Sequence, residues 1–220
     1  MNAPGGSYPV GIEVEPQRAQ RNRLTVGFRF LLAIPHIILV GPPGLAAGLH
    51  VGIGTHRSAS ESIGGSNGLL GFVAIVGAIF SWFWIVFTGE HPRVLWDLAR
   101  FYMRWRTNAV AYTALLRDDY PPFGTGSYPA SYDVVPPVGP RDRVSVGLRL
   151  ILVIPHVFLL FFLNIAWFLG SVFAWIVILF TGDYPAGVYD FSVGVMRWTL
   201  RVESYLLLLR DEYPPFRLEQ

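Results

Sequence analysis

The chain contains no cysteine and no lysine. The first absence excludes disulfides, thiolate chemistry and cysteine-held metals. The second leaves all 17 basic residues as arginine, a usage that genome base composition explains as readily as function. Charge is scarce, at 15% of residues against 52% hydrophobic. A net charge of +2 with no basic, aromatic-studded patch argues against nucleic acid as a partner. No glycine-rich phosphate loop precedes a helix, no Gly-x-Ser-x-Gly elbow occurs, and no carboxylates cluster as a general acid and base would. The expectation is a protein that is not an enzyme. The N-terminus is rich in Gly and Pro and shows no basic-then-apolar leader; the first apolar run starts at Leu24.

What is present is apolar, and it is present twice. Ser7-Tyr8-Pro9 returns as Ser127-Tyr128-Pro129, Arg21-Asn22-Arg23 as Arg141-Asp142-Arg143, and Ile34-Pro35-His36 as Ile154-Pro155-His156, all offset by 120. Phe87-Thr88-Gly89 returns as Phe180-Thr181-Gly182, Met103-Arg104-Trp105 as Met196-Arg197-Trp198, and Asp118-Asp119-Tyr120-Pro121-Pro122-Phe123 as Asp211-Glu212-Tyr213-Pro214-Pro215-Phe216, offset by 93. The first copy therefore carries 27 extra residues between its matching blocks. The repeats are assigned to 1–123 and 124–220.

Apolar runs cover Leu24–Val40, Leu69–Phe87 and Val144–Phe180. A membrane crossing needs roughly 20 apolar residues. The last run is too long for one, and reads as two crossings with a tight turn near Leu163-Asn164. The expectation is an all-α membrane protein, with four transmembrane helices as two parallel two-span repeats. Arginines before Leu24, between Arg93 and Arg143, and after Arg197 place both termini and the middle segment in the cytoplasm of a bacterial inner membrane. An outer loop at 41–68, rich in Gly and Ser, sets the first copy apart. Two such copies point the same way, related by an axis along the membrane normal.

Each copy opens with an alternating, β-branched stretch, at residues 8–14 and 128–134, read as short cytoplasmic strands that pair across the repeat axis. After each Thr-Gly comes a helical stripe: Leu95, Leu98, Tyr102, Trp105, Ala109 and Tyr112, repeated from Val188 to Leu209. These are amphipathic helices, lying on the leaflet or packed under the spans. Arg104, Arg197, Trp105 and Trp198 are candidate lipid-headgroup or interface residues. Arg29 and Arg149, just inside the first spans, are expected to snorkel to the same headgroups. Membrane lipids and other membrane subunits are the expected partners.

His36 and His156 are the candidate cofactor residues. His36 lies roughly 20 Å deeper than Arg23 at helical rise. Two symmetry-related histidines facing an axis would grip a haem iron from both sides. The competing reading, preferred here, has each imidazole bonded to a carbonyl freed by its adjacent proline, with no cofactor. His50 and His56 in the outer loop make a weak metal motif, and no metal is expected.

The Tyr-Pro start, Arg-x-Arg, Ile-Pro-His, Thr-Gly, Arg-Trp and Tyr-Pro-Pro-Phe motifs together resemble the bacterial membrane proteins grouped as "domain of unknown function 4389", whose members carry tandem copies. The resemblance covers nearly all of both copies and implies fold and location, since the family has no established activity. The leading expectation is an accessory, scaffold or assembly subunit of a larger membrane complex. Transport or lipid handling is the alternative, and a bis-histidine haem subunit a further one.

Overall fold

Asn22 and Asp142 hold equivalent places in the two copies and start equivalent helices. In a computed structural model describing residues 8–44, 59–124 and 126–219 (backbone only for 59–66), Asn22 Oδ1 accepts from the N–H groups of Leu24 and Thr25, and Asp142 Oδ1 from those of Val144 and Ser145. Each caps N–H groups that have no partner within the helix. From Asn22 run α1 (Arg23–Gly27) and α2 (Arg29–Val40), parted by one residue at Phe28. From Asp142 run α5 (Arg143–Leu152) and α6 (Ile154–Thr181), parted by Val153. Pro155 lacks the N–H that would continue the ladder there. α5 and α6 together trace a rod of roughly 58 Å, at about 1.5 Å per residue.

The expected turn near Leu163-Asn164 is absent, which corrects the count of four spans. Neither residue breaks a helix, and Asn164 satisfies its amide by donating to Leu160 O at 2.7 Å, one turn back in α6. Among the described residues two helical stretches, Asn67–Thr88 and Ile154–Thr181, are long and apolar enough to cross a bilayer. The segment expected as the first span ends short, at Val40.

The first copy has its own rod, split in the middle. Aligned on the repeat, Val40 and Asn67 both correspond to Leu160 of α6. The space agrees with the alignment. α3 (Ala59–Thr88) contains a non-helical residue, Gly68 (φ 71°, ψ 172°), and this residue abuts the end of α2. A Cβ on Gly68 would lie 2.5 Å from the Leu39 carbonyl carbon, so only glycine fits, in a region of φ/ψ closed to other residues. The extra residues leave the rod and return to it at this junction. Helix already begins at Ala59, so the expected outer loop is shorter than 41–68; its His50 and His56 lie outside the described residues.

The two rods lie head to tail. Arg21 N donates to Gly182 O and Arg141 N to Gly89 O, both at 2.9 Å. Trp175 Nε1 of the second rod donates to Val26 O of the first, and Trp82 Nε1 of the first to Val146 O of the second. Thus the start of each rod is held by the end of the other.

α4 (Arg93–Thr113) and α7 (Ala186–Leu206) run back beneath the rods. One side of α4 meets the first rod: Leu95 and Leu98 sit against Gly77, and Tyr102 against Gly71. The other side meets the sheet, where Arg104 Nε reaches Tyr132 O. α7 repeats this, with Val188 against Gly170 and Arg197 Nε donating to Ile12 O. The sheet pairs β1 (Val10–Val14) antiparallel with β2 (Ala130–Val134), Val10 opposite Val134. Alternate residues face the helices; Glu13, Ser131 and Asp133 face out. The result is three layers, rods, then α4 and α7, then sheet, each with one element per copy. The amphipathic helices are of the packed-under kind.

Gly68→Ala is expected to cost roughly 1–3 kcal/mol for the backbone region alone, with the clash in addition, read as a lowered unfolding midpoint in detergent. An unchanged midpoint would show that the two halves of the first rod do not meet as described.

Candidate functional site

Among the described residues three clusters of buried polar groups stand out, two of them repeated and one not. In the first copy, Arg21 grips Asp118 with two donors, Nε to Oδ2 at 2.9 Å and Nη2 to Oδ1 at 2.7 Å. Arg29 Nη2 donates to the same Oδ1 at 2.6 Å, and its Nη1 to Arg117 O. The Arg29 guanidinium lies 4.0 Å from the Tyr112 ring centroid. In the second copy Arg141 grips Asp211 at 2.6 and 2.5 Å, Arg149 donates to it at 2.7 Å and to Tyr205 O at 2.8 Å, and stacks on Tyr205 at 4.3 Å. Each cluster shares one carboxylate between two guanidiniums that cannot shed their protons.

A strained residue completes each cluster. Leu115 and Leu208, equivalent residues just past α4 and α7, both have φ 63°, where glycine is usual. Both side chains are buried in the core, which explains leucine there. The left-handed turn presents their carbonyls to Arg21 and Arg141, at 2.6 and 2.9 Å. Burial pushes the carboxyls of Asp118 and Asp211 up. The hydrogen bonds and charge of their arginines outweigh it, joined at Asp118 by the Asn22 N–H, and hold both below the usual carboxylate value.

His36 and His156 are fully buried. Trp105 Nε1 donates to His36 Nδ1, and Trp198 Nε1 to His156 Nδ1, both at 3.1 Å. The acceptor role of Nδ1 puts the ring proton on Nε2, on the side of the Pro121 and Pro214 carbonyls. Phe123 and Phe216 stack on the imidazoles, with centroids 4.7 and 4.0 Å away. The expected partner, a carbonyl freed by the proline within the same span, is replaced by the tryptophan and the Tyr-Pro-Pro-Phe tail. With Nδ1 engaged and Nε2 protonated, neither nitrogen offers a lone pair to iron, so this geometry lends the haem reading no support.

The third cluster belongs to the two copies jointly. Arg106 donates from Nε and Nη2 to Glu203 at 2.6 and 2.8 Å. Its remaining donors go to Val40 O, Pro42 O and Gly44 O. These carbonyls lie where the first rod is interrupted, and a helix end leaves its last carbonyls without intrahelical partners. The counterparts of Arg106 and Glu203 are Thr199 and Val110, at positions served by an unbroken rod or its partner. The pair compensates for the insertion.

Several expected site residues turn elsewhere. Arg29 and Arg149 do not snorkel; they point inward and are 0% and 1% exposed, because an aspartate and carbonyls lie within reach. Arg104 and Arg197 reach strand carbonyls in the layer farthest from the rods, and Trp105 and Trp198 donate to the histidines. Sequence reasoning missed Asp118 and Asp211, although the motif containing them was in view. It missed Arg106 and Glu203 because they break the repeat; a lone carboxylate within an apolar stretch was the available signal.

A family model described as "Domain of unknown function (DUF4389)" matches residues 67–124 and 143–217, more than half of the chain. No curated protein matches, and no solved structure does.

Asp118→Asn is expected to cost roughly 3–5 kcal/mol, the range for breaking a buried pair, since it strips two buried guanidiniums of their counter-charge. Because the folded-state values of Asp118 and Asp211 are depressed, their stabilisation is complete above the unfolded value near pH 4 and is lost as pH falls below it. Wild type should therefore lose stability on acidification through that window, and Asp118→Asn should lose less. Arg106→Met alone should destabilise more than Arg106→Met combined with Glu203→Met; additive losses in a double-mutant cycle would deny the coupling.

Proposed function

Because the chain belongs to the DUF4389 family, whose description assigns no activity, we propose a function from its geometry: a non-enzymatic, membrane-seated scaffold or accessory subunit. The observation that carries this reading is the sidedness of the layers. The rods expose Phe72, Phe80, Phe83, Phe162, Phe168 and Phe173, each at least 44% accessible. Only 28% and 17% of the two span-length windows are buried. Burying each such side chain is worth roughly 1.5–3 kcal/mol, so a dozen of them exceed the ~5–15 kcal/mol that holds a typical fold together. This face requires hydrocarbon or apolar protein around it.

The rods rest flat in the cytoplasmic leaflet in this reading. A rod of roughly 58 Å is about twice the ~30 Å hydrocarbon thickness. Standing it upright would sink the sheet, with its open strand edges and outward Glu13 and Asp133, into lipid, where unpaired backbone groups are not tolerated. Lying flat keeps the sheet and the termini in the cytoplasm. It also leaves the repeat axis along the membrane normal, because each layer contains one element of each copy. The rods bind the leaflet, and the polar sheet face is left for partner subunits.

The chain lacks cysteine, so single cysteines test the seat directly. Glu90→Cys and Asp183→Cys, at the far ends of the two head-to-tail rods, should both react with an impermeant reagent from the cytoplasmic side only. Upright rods would place them on opposite sides, and reaction of one from each side would overturn the flat seat. The scaffold role predicts co-purification with other membrane subunits in mild detergent; recovery of the chain alone would count against that role.

A further inference from the structure

A cavity of about 560 Å³ opens on the apolar face between α3, α4, α5 and the end of α7. Its volume falls in the ~300–1,000 Å³ range of ligand sites. Its walls come from α3 at helical spacing, Ile75, Ala78, Ile79, Trp82 and Phe83, and from the leucines that end α7. Ile79, Phe83 and Leu150 are 54%, 52% and 69% exposed, so the mouth lies among residues of the rod surface. Polar residues of the lining are almost wholly buried. Tyr102 is 2% exposed and Arg149 1%. The Tyr102 hydroxyl and Arg149 Nε have no hydrogen-bond partner, and both residues line this cavity together with Asn67 and Glu203.

We propose that this cavity binds a single-chain fatty carboxylate, head inward and tail toward the bilayer. The polarity gradient sets that direction, because a dry apolar mouth leads to buried donors. Buried donors left unpaired are costly, and a ligand acceptor relieves them. An anionic head suits the charge balance around Arg149: it shares the single carboxylate of Asp211 with Arg141, whereas Glu203, the other charged residue of the lining, is already matched by Arg106. The repeat sharpens the assignment. The counterpart of Leu150 is Phe30, whose ring packs 6.2 Å from Trp175, the counterpart of Trp82. The counterpart of Tyr102 is Val195. The hydroxyl belongs to this half of the molecule alone.

The proposal rests on the membrane seat for the ligand's source, and its test separates the two. The purified full chain in detergent is titrated with dibromostearate, whose bromines quench tryptophan, Trp82 being the reporter. Quenching should saturate at one equivalent, and Trp82→Phe should remove most of it. Tyr102→Phe should weaken binding about tenfold or more. L150F should block binding, and it should fold, since the other half already holds phenylalanine at that position. Quenching that never saturates, or that L150F leaves unchanged, would overturn the site. Equal affinity for dibromostearate methyl ester would overturn the carboxylate head. Flotation of L150F with phosphatidylglycerol-containing vesicles, at the wild-type level, would show that the seat is intact whatever the titration gives; loss of wild-type flotation would sink the seat without touching the titration.

Discussion

One aspartate held between two arginines organises each half of this molecule. Asp118 ties Arg21 at the mouth of the first rod and Arg29 within it to the chain just past α4. Asp211 does the same in the second half. A guanidinium stays charged wherever it is placed, so an arginine inside an apolar helix needs an internal partner or must reach water. Here the partner is internal, and the leftover donors go to carbonyls that left-handed leucines turn toward them. With its charge drawn inward, the rod is free to be oily around the rest of its circumference. The sidedness of the whole protein follows from this.

The insertion shows how a duplicated architecture tolerates a local change. Interrupting the first rod exposes carbonyls in a dry place. Arg106 covers them, and a dry arginine in turn calls for Glu203 from the other copy. The second rod, unbroken, has no such requirement, and its corresponding residues are Thr199 and Val110. Asymmetry in one element is answered by asymmetry in two others.

Most of the architecture was legible from sequence: the duplication, the paired strands, the amphipathic α4 and α7, and the apolar character of the rods. What misled was counting apolar residues against bilayer thickness. Val144–Phe180 is too long to cross once, but length alone does not separate two crossings from one span-length helix that a shorter helix precedes. Asn164 looked like a turn residue because it is polar, yet its amide is satisfied within its own helix. Arg29 and Arg149 looked like headgroup ligands because their partners lie far away in sequence, and only folding brings Asp118 and Asp211 to them. The histidines were correctly singled out as buried, but their tryptophan donors come from another layer.

The crossed ends of the rods have a consequence for ancestry. Trp82 and Trp175 each bond into the opposite half, as do the hydroxyls of Tyr8, to Glu212 O, and Tyr128, to Asp119 O. A half-length polypeptide would therefore be left with loose ends that a second, identical one could satisfy. The present chain has the arrangement that a homodimer of half-length units would have, made continuous. In one continuous chain the halves need not share every substitution, so one of them can carry 27 residues that a strictly twofold assembly would be obliged to carry twice.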